Sequence, residues 1–380
     1  MIGYVALLAT ACTTVGQQYD DRSVPKVVFD WHLPPGFVPP PVPDTNLITV
    51  EKVQLGRRLF YDNRLSVNGR GSCSSCHQQH LAFTDGRPHA IGVTGESHAR
   101  SSMSLINVAY NNNFTWASRN LRTLEQQIVI PLFNERPVEL GMTGREALVA
   151  TDLKADSTYA RLFQSAFPEP GDQVSIDNII KALASFVRSV IAADSAFDRL
   201  LYLDDQSAIS ASALRGMGLF FSEKLNCGAC HQGQNIAGGQ YVQGKLQEPT
   251  KFHNTGLYNV GGHNRYPTAD PGLRNESGQA DDDGRFRAPT LRNIAVTAPY
   301  MHDGSISTLS GVIDHYAAGG RSIDNGENAG IGSANSRKSQ LLTGFELSAV
   351  EKKDLLKFLD SLTDHSVLDE QRFSKPEDDW

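Results

Sequence analysis

Apolar positions recur with the period of an α-helix in four segments, and these segments form two similar pairs. In each pair a short amphipathic helix comes first and a longer helix follows much later. The predicted helices cover residues 55–60 and 176–187 in the first pair, and residues 215–221 and 348–359 in the second. Ser348 and Glu351 have the spacing of a capping box at the start of the last helix. The repeat predicts a mainly α-helical fold with two tandem units.

The segments between these helices have little periodicity. Residues 33–43 contain six prolines, which exclude a helix and favour an extended, polyproline-like strap. Residues 232–283 are rich in glycine and polar side chains, which is typical of long loops. The boundary between the units is expected within residues 192–210. We therefore predict an N-terminal domain over residues 21–195 and a C-terminal domain over residues 196–380.

Each short helix leads into a C-x-x-C-H motif. The two motifs are Cys73, Cys76 and His77 in the first unit, and Cys227, Cys230 and His231 in the second. This is the attachment signature of c-type haem, in which two thiols bind the porphyrin covalently and the histidine binds the iron. The alternative is a four-cysteine zinc site, which does not require a histidine at the same offset twice. The sequence predicts two covalently bound haem c groups that are covered by long loops.

The fifth cysteine, Cys12, ends a short apolar run near the N-terminus. Residues 1–20 are therefore predicted to be a signal peptide, either a lipoprotein signal with Cys12 as the lipidated residue or a plain secretory signal cut nearby. Haem attachment to C-x-x-C-H occurs outside the bacterial cytoplasm. We expect a periplasmic protein, with an outer-membrane lipid anchor as one form, and we expect no disulfides.

Charge adds one restriction on partners. The 380 residues carry a formal net charge of −7, and they include no basic cluster. Nucleic acid is therefore not an expected partner.

Longer stretches around the motifs resemble a known family. LGRRLFYDNRLS before the first motif, TLEQQIVIPLFNERPVELG, and APTLRNIAVTAPYMHDGS are similar to the bacterial di-haem cytochrome c peroxidase and MauG superfamily. The run GVTGESHARSSMSLINVAYN resembles the MbnH branch most. Proteins of that branch oxidise a tryptophan of a partner protein, MbnP, to kynurenine and so create a copper site. The resemblance implies two cytochrome c-like domains and a peroxidase-type oxidoreductase.

The resemblance also implies a reactive pocket at the first haem. Glu139 would be the acid/base group over the iron, because splitting a peroxide requires a proton to move between its oxygens. Burial there would raise the pKa of Glu139 towards neutrality. Gln127 would form a hydrogen bond with the bound oxygen. Relative to the family pattern this loop has two extra residues, Glu135 and Arg136, so Glu135 is the alternative carboxylate. The iron is expected to be open or water-bound, although His98 remains a possible sixth ligand.

At the second haem the resemblance implies an unusual ligand. Tyr316 stands fourteen residues after His302, where the peroxidases carry a methionine ligand and the MauG relatives a tyrosine. A phenolate favours oxidised iron, whereas a thioether favours ferrous iron. Met301 is a rival ligand only in principle. Trp116 would relay electrons between the haems, and Leu225 occupies the position of the surface tryptophan of MauG.

The resemblance also implies a calcium site. The relatives hold a Ca²⁺ between the haems, and its ligands would be the carbonyls of Thr297 and Pro299 with Ser101 in place of an asparagine.

The expected function is oxidation of an MbnP-like protein by H2O2 through a high-valent di-haem state. The alternative is a cytochrome c peroxidase that takes electrons from a small cytochrome or cupredoxin. A third hypothesis is an electron carrier without catalysis.

Overall fold

The fold is mainly helical, as the periodicity predicted. The computed structural model describes residues 29–242, 245–246 and 249–377. Residues 1–20, predicted as a signal, and Cys12 lie outside this range. The α-helices of the described residues are α1 (Val50–Phe60), α2 (Cys73–Cys76), α3 (Leu124–Phe133), α4 (Glu146–Ala155), α5 (Ser157–Ala166), α6 (Ile176–Ser189), α7 (Ala196–Leu203), α8 (Ala211–Phe220), α9 (Arg274–Ser277), α10 (Leu309–Ala317) and α11 (Ala349–Asp360).

The strands are short and pair only locally. β1 (Tyr241–Val242) pairs with β2 (Lys245–Leu246), β3 (Phe252–Asn254) with β4 (Arg285–Arg287), and β5 (Ser322–Ile323) with β6 (Gly330–Ile331), each antiparallel. Most of the region predicted as loops between residues 232 and 283 is irregular, as expected. None of the helices in the described ranges is long and apolar enough to cross a membrane.

All four predicted helices are present, and they pack in two equivalent pairs. α1 packs against α6, and α8 packs against α11. Thr49 caps α1, and Ser348 begins α11 with the predicted capping box to Glu351. Phe186 of α6 and Phe358 of α11 are both fully buried at these crossings. The repeat in the sequence is therefore a repeat of helix pairs in the structure.

Each helix pair is the centre of an apolar core. The first core joins α1, α3, α4, α5 and α6, and the second joins α8, α10 and α11. The chain after α11 does not stay with the second core. Val367 and Phe373, each 1% exposed, enter the first core instead. The sequence did not predict this return.

The proline-rich strap is neither helix nor strand over residues 29–43, as predicted. It is held by Phe37, which packs its ring 6.1 Å from that of Tyr110 and 5.2 Å from that of Tyr202. Tyr110 also donates a hydrogen bond of 2.7 Å to the carbonyl of Val38. Because Tyr202 belongs to α7, the strap fixes the segment that joins the two helix pairs.

Candidate haem sites

The first C-x-x-C-H motif forms a single helical turn, α2, at the edge of the first core. Ser75 accepts a 3.0 Å hydrogen bond from the backbone N–H of Ser72, which fixes the start of the turn. The ring of His77 follows, with its Nδ1 2.8 Å from the carbonyl oxygen of Phe83. A carbonyl can only accept, so Nδ1 carries the proton and Nε2 keeps its lone pair for a metal. Burial lowers the pKa of His77, which keeps the imidazole neutral.

The second motif repeats this arrangement. Asn226 has a left-handed conformation, with φ of 57°, and begins the 3-10 turn Cys227–Ala229. The Nδ1 of His231 lies 3.1 Å from the carbonyl oxygen of Pro289, which again leaves Nε2 free. Burial lowers the pKa of His231 to about 4. Both motifs thus present two cysteines and a neutral, oriented imidazole, which are the groups that a c-type haem requires.

A cavity of about 360 Å³ opens at the second motif. Cys227, Cys230 and His231 lie on its wall, and the remaining wall is mainly apolar. An apolar cavity with both thiols and the histidine on its wall fits a flat, largely apolar porphyrin. The zinc alternative has no such support, because the described residues contain no cluster of three or more His, Cys, Asp or Glu side chains that could hold a metal ion.

Tyr316 of α10 lines the same cavity as the second motif, as the resemblance implied. Burial raises the pKa of its phenol, and the nearby Cys230 and Cys227 raise it further. Its side chain is thus on the wall of the space that a haem bound to the second motif would occupy. Met301 also lines the cavity, but in a turn with φ of 72°. Leu225 is only 6% exposed and lies in the second core.

Glu139 lies beside the cysteines of the first motif. Its charge contributes to the raised pKa values of both Cys73 and Cys76, after their burial. Burial raises the pKa of Glu139 itself to about 7. A carboxyl group that is half ionised at neutral pH can both accept and return a proton. The structure therefore supports the chemistry that the sequence assigned to this position.

The loop before Glu139 determines which carboxylate faces the motif. Glu135 is exposed in a turn that precedes a cis peptide bond between Arg136 and Pro137. The backbone then approaches Gly92 so closely that a Cβ there would overlap the carbonyl of Val138. The two extra residues in this loop are thus accommodated outside the site. Glu139, and not Glu135, lies by the first haem motif.

Gln127 is carried by α3, next to the loop of Glu139. The loop folds back on this helix through hydrogen bonds from Leu140 to Pro131 and from Met142 to Leu132, of 2.9 and 2.8 Å. The side-chain Oε1 of Gln127 is buried and has no hydrogen-bond partner among the described residues. The structure thus places an amide with unused hydrogen-bonding capacity on the helix that supports Glu139.

Trp116 lies on the wall of the cavity at the second motif, and it contacts a segment that also reaches the first motif. Its indole N–H donates a 3.0 Å hydrogen bond to the carbonyl of Ser101. The next residue, Ser102, lines the cavity and lies within hydrogen-bond range of Cys76. Trp116 thus contacts a segment that lies near both motifs, and its role as a relay between the haems remains a prediction.

The three predicted calcium ligands also come together. Ser101, Thr297 and Pro299 all line the same cavity. The hydroxyl of Ser101 donates to the carbonyls of Met301 and His302, each at 3.3 Å. Calcium at this place remains a prediction.

The candidate distal histidine, His98, is partly buried on a loop. Burial lowers the pKa of His98, and Glu96 and Asp85 oppose this shift. His302 is buried and stacks on Phe286 at 3.8 Å, so its ring supports the cavity wall. Ligation of the first iron by His98 stays untested.

Three functional groups had no signal in the sequence. Phe83 and Pro289 supply the backbone carbonyls that orient the two motif histidines. Glu96 accepts a 3.0 Å hydrogen bond from the backbone N–H of Val138 and so holds the loop of Glu139. Backbone carbonyls carry no side-chain pattern, which is why only the structure identifies them.

Comparison with known proteins defines the class. A family model for di-haem cytochrome c peroxidase matches residues 50–206. The methylamine utilization protein MauG of Methylorubrum extorquens is 33% identical over 322 residues, which are 85% of this chain and 81% of that protein. The chain therefore belongs to the di-haem cytochrome c peroxidase and MauG family, and it is a di-haem oxidoreductase.

Two further relatives mark the range within this family. The cytochrome-c peroxidase IdrP1 of Pseudomonas sp. (strain SCT) is 34% identical over 88% of this chain and 86% of that protein. A crystal structure described as a MauG-like protein associated with microbial copper homeostasis is 46% identical. It superposes with a TM-score of 0.89 over 92% of this chain and 99% of that chain. The relatives of this chain thus include both MauG-like proteins and cytochrome c peroxidases.

Proposed function

We propose that this protein is a periplasmic di-haem oxidoreductase that uses H2O2 to oxidise a side chain of a partner protein. The observation that carries the proposal is the position of Tyr316 in the cavity of the second C-x-x-C-H motif. A tyrosine ligand stabilises oxidised iron and disfavours the reduced iron from which a peroxidase draws electrons. When bound, the two haems would supply peroxide activation and a high-valent state that stores two oxidising equivalents.

The residues of the first site would handle the protons. Glu139, with a pKa of about 7, would accept the proton of H2O2 and return it to the departing oxygen as water. Gln127 would orient the peroxide through its side-chain amide, since the helix that carries it supports the loop of Glu139. Because Glu139 returns the proton that it accepts and Gln127 is neutral, the net charge of the pocket is the same before and after the transfer.

The architecture would connect the two sites. The equivalent helix pairs support two tandem cytochrome c-like domains, each with a long loop region over its haem. Trp116, on the wall between them, would pass an oxidising equivalent from one haem to the other. A Ca²⁺ at Ser101, Thr297 and Pro299 would fix the same wall.

The proposed class of partner rests on the similarity to the MauG-like protein whose structure is associated with microbial copper homeostasis. We infer a protein substrate that resembles MbnP, with a tryptophan as the oxidised residue. C-x-x-C-H motifs acquire haem outside the bacterial cytoplasm, which is the basis for the periplasmic location. An outer-membrane anchor at Cys12 remains part of the proposal.

The second candidate is a peroxidase that takes electrons from a small cytochrome or cupredoxin. The similarity to the cytochrome-c peroxidase IdrP1 favours it. Stopped-flow spectra of the fully ferric protein mixed with one equivalent of H2O2 separate the two functions. Protein oxidation requires a reaction without prior reduction, followed by decay when an MbnP-like protein is added and a modified tryptophan in its mass spectrum. Reaction only after one-electron reduction, with fast oxidation of a reduced cytochrome, would establish the peroxidase.

A further inference from the structure

The peptide that orients His77 has an unusual backbone conformation. Ala82 and Phe83 are consecutive residues with φ of 52° and 60°, and neither is a glycine. L-residues disfavour this left-handed region, so it persists only where the surroundings enforce it. The conformation directs the carbonyl of Phe83 to the Nδ1 of His77 at 2.8 Å. Whatever holds Phe83 therefore also holds the proximal imidazole of the first haem site.

The ring of Phe83 is held from two sides. Phe60 of α1 contacts it edge-on, with ring centroids 6.1 Å apart. Phe373 contacts it at 6.5 Å with an interplanar angle of 83°. Phe373 comes from the C-terminal tail, residues 366–374, which follows α11 of the other helix pair. Both Phe83 and Phe373 are almost completely buried, at 0% and 1% exposed.

Hydrogen bonds fix the C-terminal tail to the loop that follows His77. The side-chain Nε2 of Gln79 donates to the carbonyls of Val367 and Glu370, at 3.1 and 2.9 Å. Its Oε1 accepts from the hydroxyl of Ser374 at 2.9 Å. Both N–H groups of this amide, and its oxygen, thus bind to the tail. Gln79 stands only two residues after the iron-binding histidine.

Asp364, two residues before the tail begins, fixes the chain at the junction between the helix pairs. The carboxylate of Asp364 accepts hydrogen bonds from the backbone N–H groups of Ala193 and Asp194, both at 3.0 Å. Asn293 donates a 2.8 Å hydrogen bond to the carbonyl of Asp364. The tail therefore spans from the second helix pair to the first haem motif with both ends anchored. Tyr61 adds a 2.7 Å hydrogen bond to the carbonyl of Phe373.

We propose that the C-terminal tail positions the proximal ligand of the first haem, with Phe373 and Gln79 as positioning residues. They act through Phe83, whose carbonyl keeps His77 in one tautomer and one orientation. A hydrogen bond donated by the Nδ1–H group makes the imidazole a stronger ligand to iron and so favours the ferric state. Loosening the tail weakens this bond and raises the reduction potential of the first haem, while the second haem keeps its own carbonyl from Pro289.

The test uses the holoprotein with Phe373→Ala and, separately, Gln79→Ala. Spectroelectrochemical titration should show a positive shift of the midpoint potential of the first haem only. Resonance Raman spectra should show a lower iron–histidine stretching frequency at that haem. Gln79 is partly exposed, so its variant keeps the test informative if Phe373→Ala does not fold. The readouts concern the ligand field, and they do not depend on which substrate the enzyme oxidises.

Leu153→Ala is the matched control. Leu153 is 0% exposed in the same core but belongs to α4, not to the tail or to the loop after His77. It should lower the unfolding temperature and leave the potential and the Raman frequency unchanged. An equal shift in this control would overturn the proposal, because general loosening of the core would then explain the effect. Unchanged potential and frequency in both tail variants would overturn it as well.

Discussion

Gly56 of α1 lies so close to the carbonyl of Ala182 in α6 that a Cβ at position 56 would overlap it. Gly216 of α8 stands in the same relation to the carbonyl of Asp354 in α11. Two helices can approach this closely only where one of them carries no side chain. The same contact in both halves places the helix that leads into each C-x-x-C-H motif at the same distance from its partner helix.

Gly56→Ala and Gly216→Ala should therefore each separate one helix pair. An added methyl group in a packed interface costs about 1–3 kcal/mol of unfolding free energy. The first change should reduce haem incorporation at Cys73 and Cys76, and the second at the other motif. Thermal unfolding and mass spectrometry of haem-bearing peptides measure both effects. Gly218→Ala on α8 is the control, since open space surrounds its Cβ position and the change should not lower the stability.

Much of this site could be predicted from sequence because the chemistry is local. The C-x-x-C-H motifs need only adjacent residues, and Tyr316 has a fixed spacing from His302 on one short stretch of chain. The helix pairs were predictable as well, because their apolar faces repeat with the helical period. Glu139 was less certain from sequence, and the structure shows that the extra residues near Glu135 extend a turn away from the motif.

Other features depend on contacts between distant residues. The C-terminal tail returns to the first core because Phe373 finds its burial against Phe83, which no periodicity near residue 373 indicates. α7 was expected only as a boundary, yet Asp198 within it forms a buried ion pair with Arg292. Such pairings follow from the complete packing and not from any local pattern.

The raised pKa of Glu139 predicts the pH dependence of the reaction with H2O2. The carboxylate is the form that accepts the peroxide proton, so the second-order rate should rise with pH through an apparent pKa of about 7. Glu139→Gln should lower the rate by about 10²-fold and remove this dependence, since the amide does not titrate. Stopped-flow measurements from pH 5 to 9 test the expectation. Glu135→Gln is the matched control and should retain the wild-type profile, because Glu135 is exposed.

Stability should change with pH in the opposite direction. The folded pKa of Glu139 lies above its usual value of 4.5, so the folded protein holds this proton more tightly than the unfolded chain. The resulting stabilisation is complete below pH 4.5 and is lost as the pH rises through about 7. Glu139→Gln should remove that loss, which denaturant unfolding at pH 5 and pH 8 would detect. A variant whose stability falls as steeply as that of the wild type would contradict the assigned pKa.

The ion pair between Asp198 and Arg292 should be a main determinant of how the two helix pairs are joined. Both side chains are 1% exposed, and two hydrogen bonds of 2.8 Å connect them. Asp198→Ala leaves a buried guanidinium without its counter-charge and should cost about 3–5 kcal/mol. The double variant with Asp198→Leu and Arg292→Met should recover part of that loss.

A neighbouring surface pair supplies the comparison. Arg199 and Asp194 are joined at 2.7 Å, but each side chain is 49% exposed. Asp194→Ala should change the unfolding free energy by no more than about 1 kcal/mol, because water screens the exposed charges. Chemical denaturation of the three variants measures the difference. Equal losses for Asp198→Ala and Asp194→Ala would show that burial of the first pair has no energetic role.

Tyr316 provides the prediction that distinguishes the two candidate functions. If its phenolate binds the second iron, Tyr316→Met should raise the midpoint potential of that haem, because a thioether favours the ferrous state. Reaction of the fully ferric variant with H2O2 should then no longer give a long-lived oxidised product. Spectroelectrochemistry and stopped-flow spectra follow the two changes.

Tyr316→Phe is the matched control for the packing of the ring, since it removes only the hydroxyl. The ring of Tyr316 lies on the wall of the cavity and is retained, so this variant should fold with wild-type stability. It should nevertheless lose the low potential of the second haem and the ultraviolet–visible signature of phenolate ligation. Wild-type potential and spectrum in Tyr316→Phe would mean that the tyrosine only fills space beside the haem. In that case Tyr316 would no longer support the proposal that the protein oxidises a partner protein, and cytochrome c peroxidase activity would be the better assignment.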